Sequence, residues 1–343
     1  MHSKPISLQL SPASATIKAV SIPVKLPKVS LILAPTPLHR LDRMSDLLGL
    51  DLWIKRDDLT GFAMGGNKGR KLEYLMGEAL AQGADTIVTC GSAQSNFVRQ
   101  LAAACARFNL HFVAVVMPLP YEFEPVEGGL KASNGNVLLD ELLGAEIRML
   151  PNGTWDELFA ATASIAEELR ASDKKVFEIP IGGSSPQGAF GFYEAGVELL
   201  SQDFGFETVV GASSSGSTQT GLTYAFARAK TNFLGMACDP EPEMVHEFAA
   251  LATELDKLTG MGLNLTHEDF AFDLRFVGPG YGVPSEGGME AIKLLARKEG
   301  IFLDPVYSAK AFHGLIEMAR SGELSGRVCF WHTGGSPALF AMA

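Results

Sequence analysis

The chain has 343 residues, 47% of them hydrophobic, with 36 glycines, 4 cysteines and a formal net charge of -11; this suits two domains or one large one, and the acidity argues against a nucleic-acid or anionic-membrane partner, since both need a concentrated basic surface. No apolar run reaches the roughly 18 residues of a membrane span. Cys90, Cys105, Cys238 and Cys329 are scattered, with no C-x-x-C pair and no His cluster, which indicates neither a metal site nor a disulfide scaffold and suits a reducing, cytoplasmic compartment.

Residues 1–41 contain no Asp or Glu and only one Arg, Arg40. That bias leaves organelle targeting open, but without an Arg-rich amphipathic pattern the segment reads as an irregular extension, or as a strand lying over the first domain. Next comes Gly65-Gly66-Asn67-Lys68-Gly69-Arg70-Lys71, after which Leu72, Leu75, Met76, Ala79 and Leu80 recur at helical spacing. Lys68 therefore falls at or just before the first turn of a helix that ends near Gly83. A helix start disfavours cations, glycines let the backbone approach a ligand, and neighbouring cations lower an amine's pKa. Lys68 is thus a candidate reactive amine, with a solvated loop lysine as the competing reading.

From residue 72 helical and strand-like segments alternate, which predicts an α/β fold of open, twisted, mostly parallel sheets with helices on both faces. Asp85–Cys90 reads as a buried strand leading into Gly91-Ser92-Ala93-Gln94-Ser95-Asn96 and a helix over 97–107. His111–Met117 is a second apolar strand, and the polar stretch Pro118–Asn136 is too long for an ordinary connection. A helix over 137–143, a strand over 146–150, a helix over 155–171 and a strand over 176–179 follow. In the second half Gly182–Gly188 leads to a helix, and Glu207–Ala212 is a strand feeding Ser213-Ser214-Ser215-Gly216-Ser217-Thr218. A strand over 233–238, helices over 240–259 and 285–299, and a strand over 327–331 ending in His332-Thr333-Gly334-Gly335 complete the chain.

Ligands of open parallel sheets bind beyond the carboxyl ends of the strands, where this chain carries its small polar residues. Ser214 to Thr218 combine hydroxyls, a glycine and a helix start, a natural cup for a phosphate dianion. Taken alone it is more often a plain strand-to-helix connection, and neither a P-loop nor a G-x-G-x-x-G turn occurs. Ser95 or Asn96 would cap its helix whatever the function; the functional alternative is that this helix start holds a substrate carboxylate, with Ser95 near the reacting carbon. Tyr281 and Tyr307 lie in Gly- and Pro-bordered loops, with simple packing as the default role. His332 reads as a structural histidine. Together, a reactive lysine, a phosphate cup and hydroxyls on other loops are what pyridoxal phosphate requires.

The run from Gly65 to Leu75, with Gln94-Ser95-Asn96-x-x-Arg99-Gln100, Gly216-Ser217-Thr218, Tyr281-Gly282-x-Pro284, Asp304-Pro305-Val306-Tyr307 and His332-x-Gly334-Gly335, resembles the aminocyclopropane-carboxylate deaminase and D-cysteine desulfhydrase family. These are pyridoxal-phosphate enzymes of fold type II, and the likeness covers about residues 34–340. It implies that Lys68 holds the cofactor, Asn96 bonds its phenolic oxygen, and Ser214, Ser215, Gly216, Ser217 and Thr218 bind its phosphate. It places Ser95, Gln94, Asn96, Tyr281 and Tyr307 around a small amino-acid substrate. It further implies a homodimer, with a large cofactor domain of residues 1–70 and 181–343 and a small domain of 71–180.

Two positions separate members of that family. Deaminases carry Glu after the Asp-Pro-Val-Tyr motif, against the pyridine nitrogen, and read His-Leu-Gly-Gly later; this chain has Ser308 and Thr333. A hydroxyl at Thr333 in place of the carboxylate leaves that nitrogen unprotonated, and a less electron-withdrawing ring suits β-elimination better than ring opening. The expectation is desulfhydration of D-cysteine or a related β-substituted amino acid. The deaminase, an L-cysteate sulfo-lyase and a non-catalytic binding protein on the same scaffold are the alternatives. Phe97 departs from the His or Gln common at its position.

Overall fold

The computed structural model describes residues 24–203 and 205–342. The targeting expectation for the acid-free N-terminus falls largely on residues 1–23, outside the described residues. From residue 24 the chain is irregular up to β1 (Leu38–Arg40), the one strand among the described residues of 24–41. The extension is pinned to α2 (Lys68–Ala81): Val29 N–H donates to the Glu73 carbonyl at 2.9 Å, and the Leu31 N–H to Glu73 Oε1 at 2.9 Å. The two backbones touch where Gly77 sits, because a Cβ there would stand 2.4 Å from the Pro27 carbonyl.

Two sheets organise the remainder. The four-stranded sheet is wholly parallel, in the order β5 (Glu146–Met149), β4 (His111–Met117), β3 (Thr86–Ser92), β6 (Val176–Glu178). All seven residues of β3 are buried, as expected of a central parallel strand covered on both faces. Its helices are α3 (Asn96–Phe108), α4 (Gly135–Leu142) and α5 (Trp155–Ala171). Leu72, Leu75 and Met76 of α2 pack with Val98 and Leu101 of α3 and with Phe112 of β4 in one core.

The six-stranded sheet runs β1, β2 (Asp51–Arg56), β10 (Arg327–His332), β7 (Thr208–Ser213), β8 (Asn232–Ala237), β9 (Ala271–Asp273), with only β1 antiparallel. Helices α1 (Asp42–Leu48), α9 (Glu286–Glu299) and α10 (Ser308–Ser321) flank it, as do α6 (Pro186–Gln202), α7 (Ser217–Phe226) and α8 (Met244–Thr259). The parallel α/β architecture expected from the alternation is therefore present. The sequence reading had no element for β1, α1, β2, β9 or α10. It also began α8 at Pro240, whereas the helix starts at Met244: Pro242 disfavours helical geometry at Glu241 before it.

Candidate active site

A cavity of about 600 Å³ opens where β3, β7 and β10 end, the crevice that parallel sheets use for ligands. Lys68 enters it as the first residue of α2, after a turn that only glycine can make. Gly65 and Gly66 have φ of 76° and 117°, and a Cβ on Gly65 would lie 1.9 Å from the Asp58 carbonyl. Asn67 ties this turn to both other loops. Its N–H donates to the Thr333 carbonyl at 2.9 Å, and its Nδ2 to Thr218 Oγ1 at 3.4 Å.

The cations beside Lys68 behave differently from the expectation that they would lower its pKa. Arg70 turns away and is neutralised, its Nε and Nη2 each 2.8 Å from the Asp57 carboxylate, with Glu198 on its other edge. The Lys71 amine donates to the Gly182 carbonyl at 3.0 Å, and burial, together with the neighbouring Lys68 amine, holds its pKa well below the ordinary value. The Lys68 amine is also lowered, chiefly because burial penalises its charge. Desolvation thus replaces neighbouring charge as the cause, and the consequence for nucleophilicity is the same.

Opposite Lys68, Ser214, Ser215, Gly216 and Thr218 line the cavity. Gly216 has φ 104°, and the N–H groups that open α7 have no intrahelical acceptor. The cup is braced from behind: Ser217 Oγ donates to the Gly183 carbonyl at 3.3 Å, and Ser184 Oγ to the Ser215 carbonyl. Ser217 therefore spends its hydroxyl outside the cavity and offers the cup its backbone alone.

Ser95 caps α3, its Oγ accepting the Val98 N–H at 3.3 Å, and still lines the cavity. Asn96 does so too. Gln94 does not: its Nε2 donates to the Lys131 carbonyl at 2.7 Å and its Oε1 accepts the Asn136 N–H at 2.9 Å. Its side chain is consumed in holding the start of α4, which removes it from the substrate-binding set. Tyr281 and Tyr307 meet hydroxyl to hydroxyl at 2.5 Å in the cavity wall, with Ser92 Oγ 3.2 Å from Tyr281 Oη. Burial raises both phenols, Tyr281 to about 12 and Tyr307 further, so both remain proton donors. Thr333 lines the cavity, whereas Ser308 is buried behind it with Oγ donating to Asp304 at 2.6 Å. His332 is structural: Nδ1 accepts the Gly334 N–H at 3.1 Å, so Nε2–H donates to the Phe302 carbonyl at 2.9 Å.

The structure adds residues that sequence reasoning missed. Asn67, Ser92 and the carboxylates of Asp239 and Glu241 all line the cavity. Burial raises both carboxyls, Asp239 to about 6 and Glu241, with the neighbouring Asp239 charge, to about 8, so a proton stays on the pair above the usual carboxylate range. Their sequence signal was Asp239-Pro240-Glu241-Pro242, two carboxylates held in extended backbone immediately after a strand. Glu122, from the long 118–134 connection, also reaches this wall.

The donor set fits pyridoxal phosphate. A desolvated amine stands at one end, hydroxyls and unpaired helix-start N–H groups stand at another, and the Asn96 amide lies on the wall between β3 and α3. The buried Ser213 Oγ, which has no hydrogen-bond partner among the described residues, sits at the cup. The family model described as pyridoxal-phosphate dependent enzyme matches residues 29–334. The chain belongs to this family. A D-cysteine desulfhydrase of Salmonella typhi is 40% identical over 330 residues, covering 92% of this chain and 96% of the relative. The structure of an ACC deaminase homologue superposes with a TM-score of 0.84 at 35% identity, over 92% of this chain and 94% of that one. O-ureido-L-serine synthase shares the fold alone, at TM-score 0.63 and 20% identity, over 89% of this chain and 90% of that one. As a family member the chain is a pyridoxal-phosphate-dependent enzyme, and among the described residues no helix is long and apolar enough to cross a membrane.

Proposed function

We propose that this enzyme catalyses β-elimination from D-cysteine or a closely related β-substituted amino acid, giving pyruvate, ammonia and the released β substituent, which is sulfide when the substrate is cysteine. In this reading Lys68 holds the cofactor, the start of α7 with Ser214, Ser215 and Thr218 holds its phosphate, and Asn96 meets its phenolic oxygen. Bound pyridoxal phosphate supplies an electron sink for charge at the substrate's Cα. The rest falls to the chain's own groups. Ser95 and the start of α3 orient the substrate carboxylate. The Lys68 amine, whose charged form burial disfavours, takes the Cα proton. Tyr281 or Tyr307, protonated and joined by their hydroxyls, gives a proton to the departing sulfur.

The observation that carries this reading is Ser308. Its hydroxyl is bound to Asp304, so the position after Tyr307 brings no carboxylate to the cofactor, and Thr333 is the hydroxyl on the cavity wall. A cofactor ring without an acidic partner suits departure of a good leaving group. The name of the 40% identical relative supports the same choice. A second reading, ring opening of aminocyclopropane carboxylate, is favoured by the structural likeness to the ACC deaminase homologue.

Assaying sulfide and 2-oxo acids from D-cysteine, L-cysteine, L-cysteate and aminocyclopropane carboxylate separates the readings. D-Cysteine should be the best substrate, and 2-oxobutyrate as main product would overturn the proposal. Lys68→Ala should lose both activity and the visible absorbance of bound cofactor. We further propose a cytoplasmic homodimer in which residues 71–180 form the small domain, as the family resemblance implies; its mass in solution tests the dimer.

A further inference from the structure

We infer that Arg99, acting through Asn136, sets which end of the Asn96 amide faces the cofactor, and that Gln94 serves this device. The inference rests on the proposed reading of Asn96 as the partner of the cofactor's phenolic oxygen. Arg99, Asn136, Gln94 and Asn96 are all buried, and their bonds form one chain with a fixed polarity. Arg99 donates through Nη2 to the Gly65 carbonyl and through Nη1 to Asn136 Oδ1, each at 3.0 Å.

A guanidinium has donors only, so Asn136 must turn its oxygen to Arg99 and its Nδ2 the other way. There Nδ2 donates to the Gln94 carbonyl at 2.8 Å and to Asn96 Oδ1 at 3.0 Å. Gln94 closes the chain by accepting the Asn136 N–H at 2.9 Å. With Oδ1 occupied, Asn96 has only Nδ2 left, and among the described residues that atom donates to no protein acceptor. A side-chain amide can be turned by 180° at little intrinsic cost. In the opposite sense it would aim lone pairs at the cofactor's oxygen. Arg99, a formal charge two amides away, removes that choice. It also links the Asn96 wall to Gly65, the first glycine of the Lys68 turn, so one side chain braces two groups that meet the same cofactor.

Arg99 and Asn136 are positioning residues, and the test reads cofactor binding rather than turnover. Asn136→Asp is close to isosteric and still accepts from Arg99, but has no N–H to give, so Asn96 must turn its Nδ2 toward the new carboxylate. The cofactor's dissociation constant, from the visible absorbance of holoenzyme equilibrated against graded pyridoxal phosphate, is expected to rise about 10- to 100-fold in Asn96→Ala and in Asn136→Asp alike. The absorbance spectrum should change in the same sense in both. In the Asn96→Ala background, Asn136→Asp should add less than about twofold. If Asn136→Asp does not fold by circular dichroism, Arg99→Met, which frees the Asn136 amide to turn, takes its place in the same cycle. Wild-type affinity in Asn136→Asp, or losses that simply multiply in the double variant, would overturn the inference. An Asn96→Ala enzyme that binds cofactor like wild type would overturn it together with the reading of Asn96. Failure of the D-cysteine assay with normal cofactor binding would count against the proposed reaction and leave this inference standing.

Discussion

Replacing Glu198 by Gln probes the buried ion network that fixes the helix bearing Lys68. Glu198 accepts from both Nη atoms of Arg70 at 3.0 Å, from the Thr36 N–H at 2.9 Å, and from Lys55, whose side chain is fully buried. Burial opposes ionisation of Glu198, but the hydrogen bonds and charges of Arg70 and Lys55 outweigh it and lower the carboxyl to about 2, from an ordinary 4.5. A drop of this size corresponds to about 3 kcal/mol of stability. Because the folded value is the lower one, that stability is present above pH 4.5 and is lost as pH falls toward 2. About 1 kcal/mol should be gone by pH 4 and about 2 kcal/mol by pH 3. Glu198→Gln keeps the shape and one acceptor, but leaves Lys55 buried without its carboxylate, so we expect a loss of about 2–3 kcal/mol near pH 7. Urea denaturation is the assay. Trp331 reports on the same network through its fluorescence, since its Nε1 donates to Asp57 at 2.9 Å. The gap between wild type and variant should stay nearly constant from pH 7 to about pH 5 and narrow below that, down to pH 3. A gap below about 1 kcal/mol at pH 7, or one that keeps its size down to pH 3, would refute the assignment of this stability to an ionised Glu198.

Other expectations follow from the cavity. Tyr281→Phe should lower kcat for D-cysteine by about 10²- to 10⁴-fold, yet act far less on β-chloro-D-alanine, whose chloride leaves without a proton; equal losses would remove Tyr281 as the acid. Glu241 is raised to about 8 by burial and by Asp239, so its proton leaves as pH climbs through that range and adds negative charge to the cavity that must hold the substrate's carboxylate. KM for β-chloro-D-alanine should therefore rise above about pH 8 in the wild type and much less in Glu241→Gln; coincident KM profiles would contradict this. Gly216→Ala forces a side chain onto φ 104° with its Cβ 3.1 Å from Phe248. It should cost about 1–3 kcal/mol in unfolding experiments and weaken cofactor binding by distorting the cup, and unchanged cofactor affinity would show the cup tolerates that strain.

What could be read from the sequence was whatever one segment decides alone. The period of Leu72, Leu75 and Met76 marked α2, and the glycines before it put Lys68 at the helix start, where the structure has it. The apolar run of β3 led to Ser95 and Asn96 on the cavity wall. Groups whose roles depend on partners far along the chain stayed hidden. The lowered pKa of Lys68 was foreseen for the wrong reason, because Arg70 is neutralised by Asp57 and by Glu198, 128 positions away. Gln94 stood one residue from a cavity-lining serine, and only the turn that brings Lys131 and Asn136 against it, 37 and 42 positions on, shows where its amide is spent. Hence the motif Gln94-Ser95-Asn96 divides by direction rather than by type. Ser95 and Asn96 face the cavity, Gln94 faces the start of α4, and Arg99 one turn later orders the amides between them. A short motif of polar residues beside a reactive lysine thus contains both the groups that meet a ligand and the groups that aim them, and hydrogen-bond polarity is what tells the two apart.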